Sequence, residues 1–122
     1  MNGDLWHVKF VSPYSDKLVD RTKTLRVATT DPNEYCVYLA RNLTGDFLNR
    51  VLIHELGHVT MISYDLIRDI HRMAYPEYWI EAEEWVCNII ADYGLKIFRA
   101  AYEVLGEQAW IYVPYELSRL VA

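Results

Sequence analysis

The stretch "VLIHELGHVT", residues 51 to 60, places two histidines and a glutamate inside an apolar run. Its apolar residues belong to a helical spacing that extends on both sides, and Thr44 or Asp46 can cap the start of such a helix. The positions with this spacing are Phe47, Leu48, Val51, Leu52, Leu56, Val59 and Ile62. The sequence therefore predicts a helix that begins near residue 44, lies in the interior and carries the three polar residues.

The three polar residues, His54, Glu55 and His58, have the spacing HExxH. Residues four apart lie on one helix face, so both imidazoles can bind one ion at roughly 2.0–2.1 Å, with the glutamate close to a water on that ion. Burying Glu55 among apolar residues without a partner would cost on the order of several kcal/mol, and a metal would remove most of that cost. The missing side chain of Gly57 lets another segment approach. The pattern favours a zinc site with Glu55 as general base over a helix that carries two histidines by chance.

A catalytic zinc generally has three protein ligands, and the candidates for the third lie in "WIEAEEWVCNIIADYG", residues 79 to 94. On a helical wheel Glu81, Glu84 and Asn88 fall within about 60° of one another, whereas Glu83 points about 100° away. We expect Glu84 to be the third ligand, with Glu81 as the alternative. Asn88, one turn further on, is expected to form a hydrogen bond that orients a ligand histidine.

The other two histidines could in principle serve as the third ligand, but each is expected to be a surface or structural residue, and both cysteines are expected to be small buried residues. His7 lies on a predicted strand far upstream, and His71 lies on an amphipathic segment. Cys36 and Cys87 are far apart in sequence and form no CxxC pair, so neither a disulfide framework nor a cysteine zinc site is indicated.

The rest of the chain predicts strands followed by helices. Alternating or β-branched patterns indicate strands at 5–11, 23–31 and 34–40. Helical patterns follow at 64–74, at about 76–93 and at 95–105, with Gly94 as an interruption, and an extended piece with a short helix from Pro114 ends the chain. We expect an α+β fold, a three-stranded antiparallel sheet followed by a helical HExxH core, in a single domain over residues 1–122.

Composition excludes several classes of protein. The chain has 122 residues, is 52% hydrophobic and 14% aromatic, and so differs from disordered chains. Its net charge is -5 and its basic residues are scattered, so no nucleic-acid partner is expected. The start of the chain lacks a secretory signal, and no apolar stretch approaches the roughly 20 residues that span a bilayer. We expect a soluble, cytoplasmic protein without a membrane partner.

Two segments, "HELGH" (54 to 58) and "EEWVCNIIA" (83 to 91), together resemble the ImmA/IrrE family of zinc metallopeptidases, zincins whose third ligand is a glutamate on a following helix. The resemblance covers about residues 34 to 93. The family's second pattern is a glutamate, two residues, a small residue, an asparagine, one residue, an apolar residue and an alanine. The residues in those places are Glu84, Cys87, Asn88, Ile90 and Ala91.

The resemblance implies a zincin-like fold, zinc ligation by His54, His58 and Glu84, and catalysis by Glu55. It also implies that the strand at 34–40 is an edge strand that runs alongside the site and aligns an extended substrate.

These observations predict a zinc-dependent metallopeptidase that hydrolyses peptide bonds in a protein or peptide substrate. Tyr112, in the tail, is a candidate helper for the oxyanion. One alternative is a catalytically weak zinc-binding interaction module of a phage or mobile element that sequesters a regulator protein. Another is a metal-free helical interaction protein, in which both histidines are core residues.

Overall fold

The computed structural model describes residues 1–110 and has an α+β fold, which confirms the predicted class. The strands are β1 (His7–Val11), β2 (Ala28–Asp31) and β3 (Cys36–Ala40). The helices are α1 (Gly45–Ser63), α2 (Ile67–Met73) and α3 (Trp79–Leu105). Short 3₁₀ turns lie at Asp16–Leu18, Pro76–Tyr78 and Gly106–Trp110. The strands therefore precede the helices, as predicted.

The sheet is mixed, so the prediction of an antiparallel sheet was wrong for one strand. Its strand order is β1-β3-β2; β2 runs antiparallel to β3, whereas β1 runs parallel to it. The direction of β1 could not be read from its sequence, because the alternation of apolar and polar residues is the same in a parallel and an antiparallel strand. In addition, β1 pairs with β3, which is not the next strand in sequence. The predicted second strand is also shortened, because residues 20–24 form a loop closed by the side chain of Asp20.

The strand beside α1 at the edge of the sheet is β2, not β3 as the resemblance implied. β3 is the central strand and is buried at all five positions, so it cannot receive a further strand. The other edge, β1, is also less buried than its alternation suggested: Val8 is 45% exposed and Phe10 is 54% exposed. The free edge nearest the histidines therefore belongs to β2, which contacts α1 through Thr30.

Helix α1 contributes to two apolar clusters. Val51 and Val59 pack into the sheet cluster, which contains β3 and Leu18. Met61 belongs to a second cluster formed with residues of α2 and α3, namely Ile70 and Cys87. The helix is not interior on every face, as its apolar sequence had suggested, because Leu56 is 37% exposed. Packing on two faces fixes α1 against both the sheet and α3.

The described residues divide into two compact units, one over residues 1–92 and one that begins at Tyr93. The first contains the sheet, α1, α2 and the start of α3. The second contains the rest of α3, which continues through Gly94 without the predicted interruption, and there the rings of Phe98 and Trp110 lie 4.6 Å apart. The single-domain expectation stays a prediction. The extended piece and helix predicted from Pro114 lie outside the described residues.

Among the helices of residues 1–110, none is long and apolar enough to cross a membrane.

Candidate metal centre

Three side chains from two helices converge at one point. His54 Nε2 lies 3.0 Å from Glu84 Oε2, and His58 Nε2 lies 3.3 Å from Glu84 Oε1. The two imidazole Nε2 atoms are 3.2 Å apart. The histidines are one turn apart on α1 and the glutamate faces them from α3, so the structure brings together the three residues that the sequence put forward as ligands.

The spacing of these donor atoms fits a metal ion. A tetrahedral ion with bonds of about 2.0–2.1 Å holds its ligand atoms roughly 3.3–3.4 Å apart, close to the separations of 3.0 to 3.3 Å found here. Two imidazole nitrogens and a carboxylate oxygen are also the ligand types of catalytic zinc sites. His54, His58 and Glu84, here called the ligand group, could together hold a metal ion.

The electrostatics of the metal-free group are those of an ion pair. Hydrogen bonds from His54 and His58 hold the pKa of the Glu84 carboxyl well below its usual range, although burial acts in the opposite direction. The hydrogen bond with Glu84 raises the pKa of His54 above its ordinary value. His54 Nδ1 is buried and makes no hydrogen bond within the described residues. A cation is therefore favoured at this point, whether it is a proton or a metal ion.

Glu55 lies next to the two histidines on α1 and is buried. Thr30 Oγ1 donates a hydrogen bond to Glu55 Oε2 over 2.5 Å, from strand β2. This contact fixes the carboxylate beside the ligand group. Sequence reasoning missed Thr30, since nothing in "VATTD" distinguishes its hydroxyl from that of its neighbour Thr29.

Asn88 lies one turn after Glu84 and is among the groups that raise the pKa of His54. Its Oδ1 accepts a hydrogen bond from Arg50 Nη2 over 3.3 Å, while Arg50 Nε contacts Asp92 Oδ1 at 2.7 Å. Within the described residues Asn88 does not reach hydrogen-bond geometry with the histidine. Its expected role in orienting His54 therefore stays a prediction.

The other acids of α3 have different surroundings. Glu81, the alternative ligand, is exposed and does not line the groove at the histidines. Glu83, which the helical wheel placed about 100° from Glu84, also lines the groove, and it is only 4% exposed rather than solvated. Its carboxylate contacts Arg21 at 2.8 Å and His71 at 3.1 Å. His71 therefore has a structural partner, and His7 lies exposed on β1.

Helices α1 and α3 approach each other closely at Gly57. A Cβ atom at this position would lie 3.1 Å from the Sγ atom of Cys87 and 3.4 Å from its Cα atom. Cys87 is fully buried, and burial is the main cause that raises the pKa of its thiol to about 12. The thiol is therefore protonated, and Cys87 is a small buried residue, as predicted. Its contact with Gly57 sets the distance between α1, which carries the histidines, and α3, which carries Glu84.

The ligand group lies in a groove of about 870 Å³. One wall is formed by β2 and the loop before it, and includes Arg21, Val27, Ala28 and Thr30. The remaining surface is formed by the helices, and includes Phe47, Arg50, Ile62, Ile67 and Ile80. The exposed surface of the groove is mostly apolar, and its polar lining includes His54, Glu55 and His58. Tyr112, the candidate oxyanion helper, lies outside the described residues.

Comparison with protein-family models, with curated proteins and with solved structures finds no match to this chain. The ImmA/IrrE resemblance therefore stays a prediction that rests on the residues quoted above.

Proposed function

We propose that this protein is a zinc-dependent metallopeptidase that hydrolyses peptide bonds in a protein or peptide substrate. The observation that carries the proposal is the convergence of His54 Nε2, His58 Nε2 and the Glu84 carboxylate within 3.0 to 3.3 Å of one another, beside the buried carboxylate of Glu55. Two histidines, one glutamate ligand and an adjacent carboxylate are the parts that metal-assisted hydrolysis needs.

Zinc would polarise the scissile carbonyl and lower the pKa of a water molecule. The chain's own contribution is proton transfer. Glu55 accepts a proton from the attacking water and passes it to the leaving amine, which is the work of a general base and then a general acid. Thr30 supports this role, because its hydroxyl holds one carboxylate oxygen of Glu55, and Glu55 lines the groove.

The free edge of β2 supports a peptide as substrate. Val27 O accepts a hydrogen bond from Ala40 N over 2.8 Å, so the alternation of an antiparallel ladder directs the backbone groups of Ala28 and Thr30 away from β3. That side of β2 pairs with no other strand within residues 1–110. An extended peptide can add to this edge by main-chain hydrogen bonds, and β2 lines the groove at the ligand group.

The test compares the wild-type protein with a Glu55→Gln variant. Both are expected to bind about one equivalent of zinc by elemental analysis, because the substitution leaves all three ligands in place. Hydrolysis of a library of fluorescence-quenched peptides is expected in the wild type and is expected to fall roughly 100-fold or more in the variant, because the proton acceptor is lost.

The proposal fails in either of two ways. A wild-type protein that binds no zinc after dialysis against the metal would remove the metal centre. A Glu55→Gln variant that cleaves peptides as fast as the wild type would remove Glu55 from the chemistry and point to a contaminating protease.

A further inference from the structure

The guanidinium group of Arg21 lies beside the ligand group. Its Nη2 atom is 2.8 Å from Glu83 Oε2 and 3.8 Å from Glu84 Oε1, so it is close to a carboxylate that faces both histidines. Arg21 lines the groove, and its side chain is 49% exposed. One part of the guanidinium is therefore bound to the protein while the rest is accessible from the groove.

Glu83 anchors Arg21 from the interior. Its side chain is almost fully buried, and its second oxygen, Oε1, contacts His71 Nε2 at 3.1 Å. The imidazole of His71 stacks on the ring of Trp79 with a centroid distance of 4.0 Å, and the indole N–H of Trp79 donates to the carbonyl oxygen of Ala74 over 3.0 Å. Each oxygen of the Glu83 carboxylate therefore has a partner, and these two contacts fix the carboxylate that positions Arg21.

The loop that carries Arg21 is also fixed. Asp20 Oδ1 accepts hydrogen bonds from the backbone N–H groups of Thr22 and Thr24 at 2.8 and 3.1 Å, and Oδ2 accepts one from Arg26 Nε at 2.7 Å. Although burial acts against it, the hydrogen bond from the Thr22 hydroxyl, together with these three bonds, holds the pKa of the Asp20 carboxyl well below its usual range. The loop is therefore organised around Asp20 before any ligand arrives.

The other cations that line the groove are engaged elsewhere. Arg26 is paired with Asp20, and Arg50 contacts Asp92 and Asn88. Neither forms an ion pair with Glu84, whereas Arg21 does, and Arg21 Nε and Nη1 have no hydrogen-bond partner in the part of the chain that the structure describes. Arg21 is thus the groove cation with donors available next to the ligand group.

We infer that Arg21 stabilises the negative charge that develops on the scissile carbonyl oxygen, in a position set by buried Glu83. The inference rests on the proposed function. During addition of water to the carbonyl carbon, the electron pair of the C=O bond moves onto oxygen, and a fixed N–H donor that faces this oxygen lowers the barrier. Planar guanidinium N–H groups suit such an oxygen, and the position is already charged before substrate binds.

The experiment measures the affinity of the site for an anion, so it does not depend on a known peptide substrate. The protein is loaded with Co²⁺, whose visible absorption reports on its ligands, and is titrated with inorganic phosphate as a tetrahedral anion. Arg21→Met is expected to raise the phosphate dissociation constant about tenfold or more, as for the loss of a charge-assisted hydrogen bond, and Arg21→Lys is expected to raise it less. The matched control is Arg68→Met, which removes an arginine from an exposed ion pair with Asp65.

Arg21→Met leaves Glu83 with one fewer partner, so the double variant Arg21→Met with Glu83→Gln tests the same point without the orphaned charge. A phosphate constant that is unchanged in both variants, with full cobalt content, overturns the role of Arg21 and leaves the metal centre intact. Loss of stability alone would show that the Arg21 and Glu83 pair is only structural. A cobalt-loaded wild type that binds no phosphate also overturns the inference, and a wild type that binds no cobalt overturns it together with the proposed function.

Discussion

Glu55 depends on a single hydroxyl. Among the described residues, Thr30 Oγ1 is the hydrogen-bond donor to its side chain, and the carboxylate is buried. Thr30→Val keeps the shape of the side chain and removes the donor. We expect it to lower the free energy of unfolding of the metal-free protein by about 1–3 kcal/mol, because a buried charged acceptor loses its partner.

Urea denaturation in the presence of a chelator measures this loss. Thr44→Val is the matched control, because Thr44 stands at the N-cap of α1 without a side-chain capping bond and is exposed. Equal stabilities for Thr30→Val and the wild type would show that the hydroxyl does not hold Glu55. Peptide hydrolysis should also fall in Thr30→Val at unchanged zinc content.

Glu84 and Glu81 provide a second matched pair, three residues apart on α3. Only Glu84 contacts the histidines, while Glu81 is exposed. Glu84→Ala is expected to weaken zinc binding roughly 100-fold or more. Zinc sites with four protein ligands bind the metal with about 10–16 kcal/mol, so the loss of one ligand removes a large share of the binding free energy. Glu81→Ala should bind zinc as the wild type does. Competition with a chromophoric chelator measures both constants, and equal losses in the two variants would contradict the assignment of Glu84.

The contact between α1 and α3 depends on the absence of a side chain at Gly57. Gly57→Ala would gain about 1 kcal/mol of helix propensity but would place a Cβ atom 3.1 Å from Cys87 Sγ. We expect a net loss of about 1–3 kcal/mol from overpacking and weaker zinc binding, because the helices must move apart.

A double-mutant cycle with Cys87→Ala tests this cause. Removal of Sγ takes away the nearest atom, so the cost of Gly57→Ala should be smaller in the Cys87→Ala background. Thermal unfolding of the four proteins gives the coupling. An additive result would mean that the close approach of Cys87 is not what constrains Gly57.

Secondary structure and the ligand group were largely predictable, because both follow from local spacing. His54 and His58 lie on the same helix face whether the helix is buried or exposed. The helical wheel also separates Glu84 from Glu83 without any knowledge of the tertiary structure. The direction of β1 and the central position of β3 were not predictable, because pairing between distant strands leaves no local pattern. The same limit applies to Arg21, whose contact with Glu83 spans 62 residues of sequence.

The stability of the whole molecule should depend on pH in opposite ways with and without metal. In the metal-free protein, the lowered pKa of Glu84 gives stability that is present above its ordinary value of 4.5 and is lost as pH falls through the folded value. The raised pKa of His54 gives stability that is present below its ordinary value of 6.5 and is lost as pH rises through the folded value. Both contributions are complete only between these two ordinary values, so the metal-free protein should be most stable in mildly acidic solution.

Zinc should make the protein more stable, rather than less, as pH rises above this range, because zinc binds only deprotonated ligands. Zinc that binds only the folded state stabilises it by mass action. The gain is about 2.7 kcal/mol when the concentration of free zinc is 100 times its dissociation constant. Thermal unfolding with chelator and with zinc, at about pH 5.5 and about pH 8, measures both effects. The increase in melting temperature caused by zinc should be larger at the higher pH. Glu84→Ala should weaken the pH dependence of stability both with and without zinc. The reason is that Glu84 is the partner of His54 in the metal-free protein and the expected third ligand of the metal. If zinc raised the melting temperature equally in the variant and the wild type, the metal would have to bind elsewhere, and the group formed by His54, His58 and Glu84 would be a metal-free ion pair in the groove.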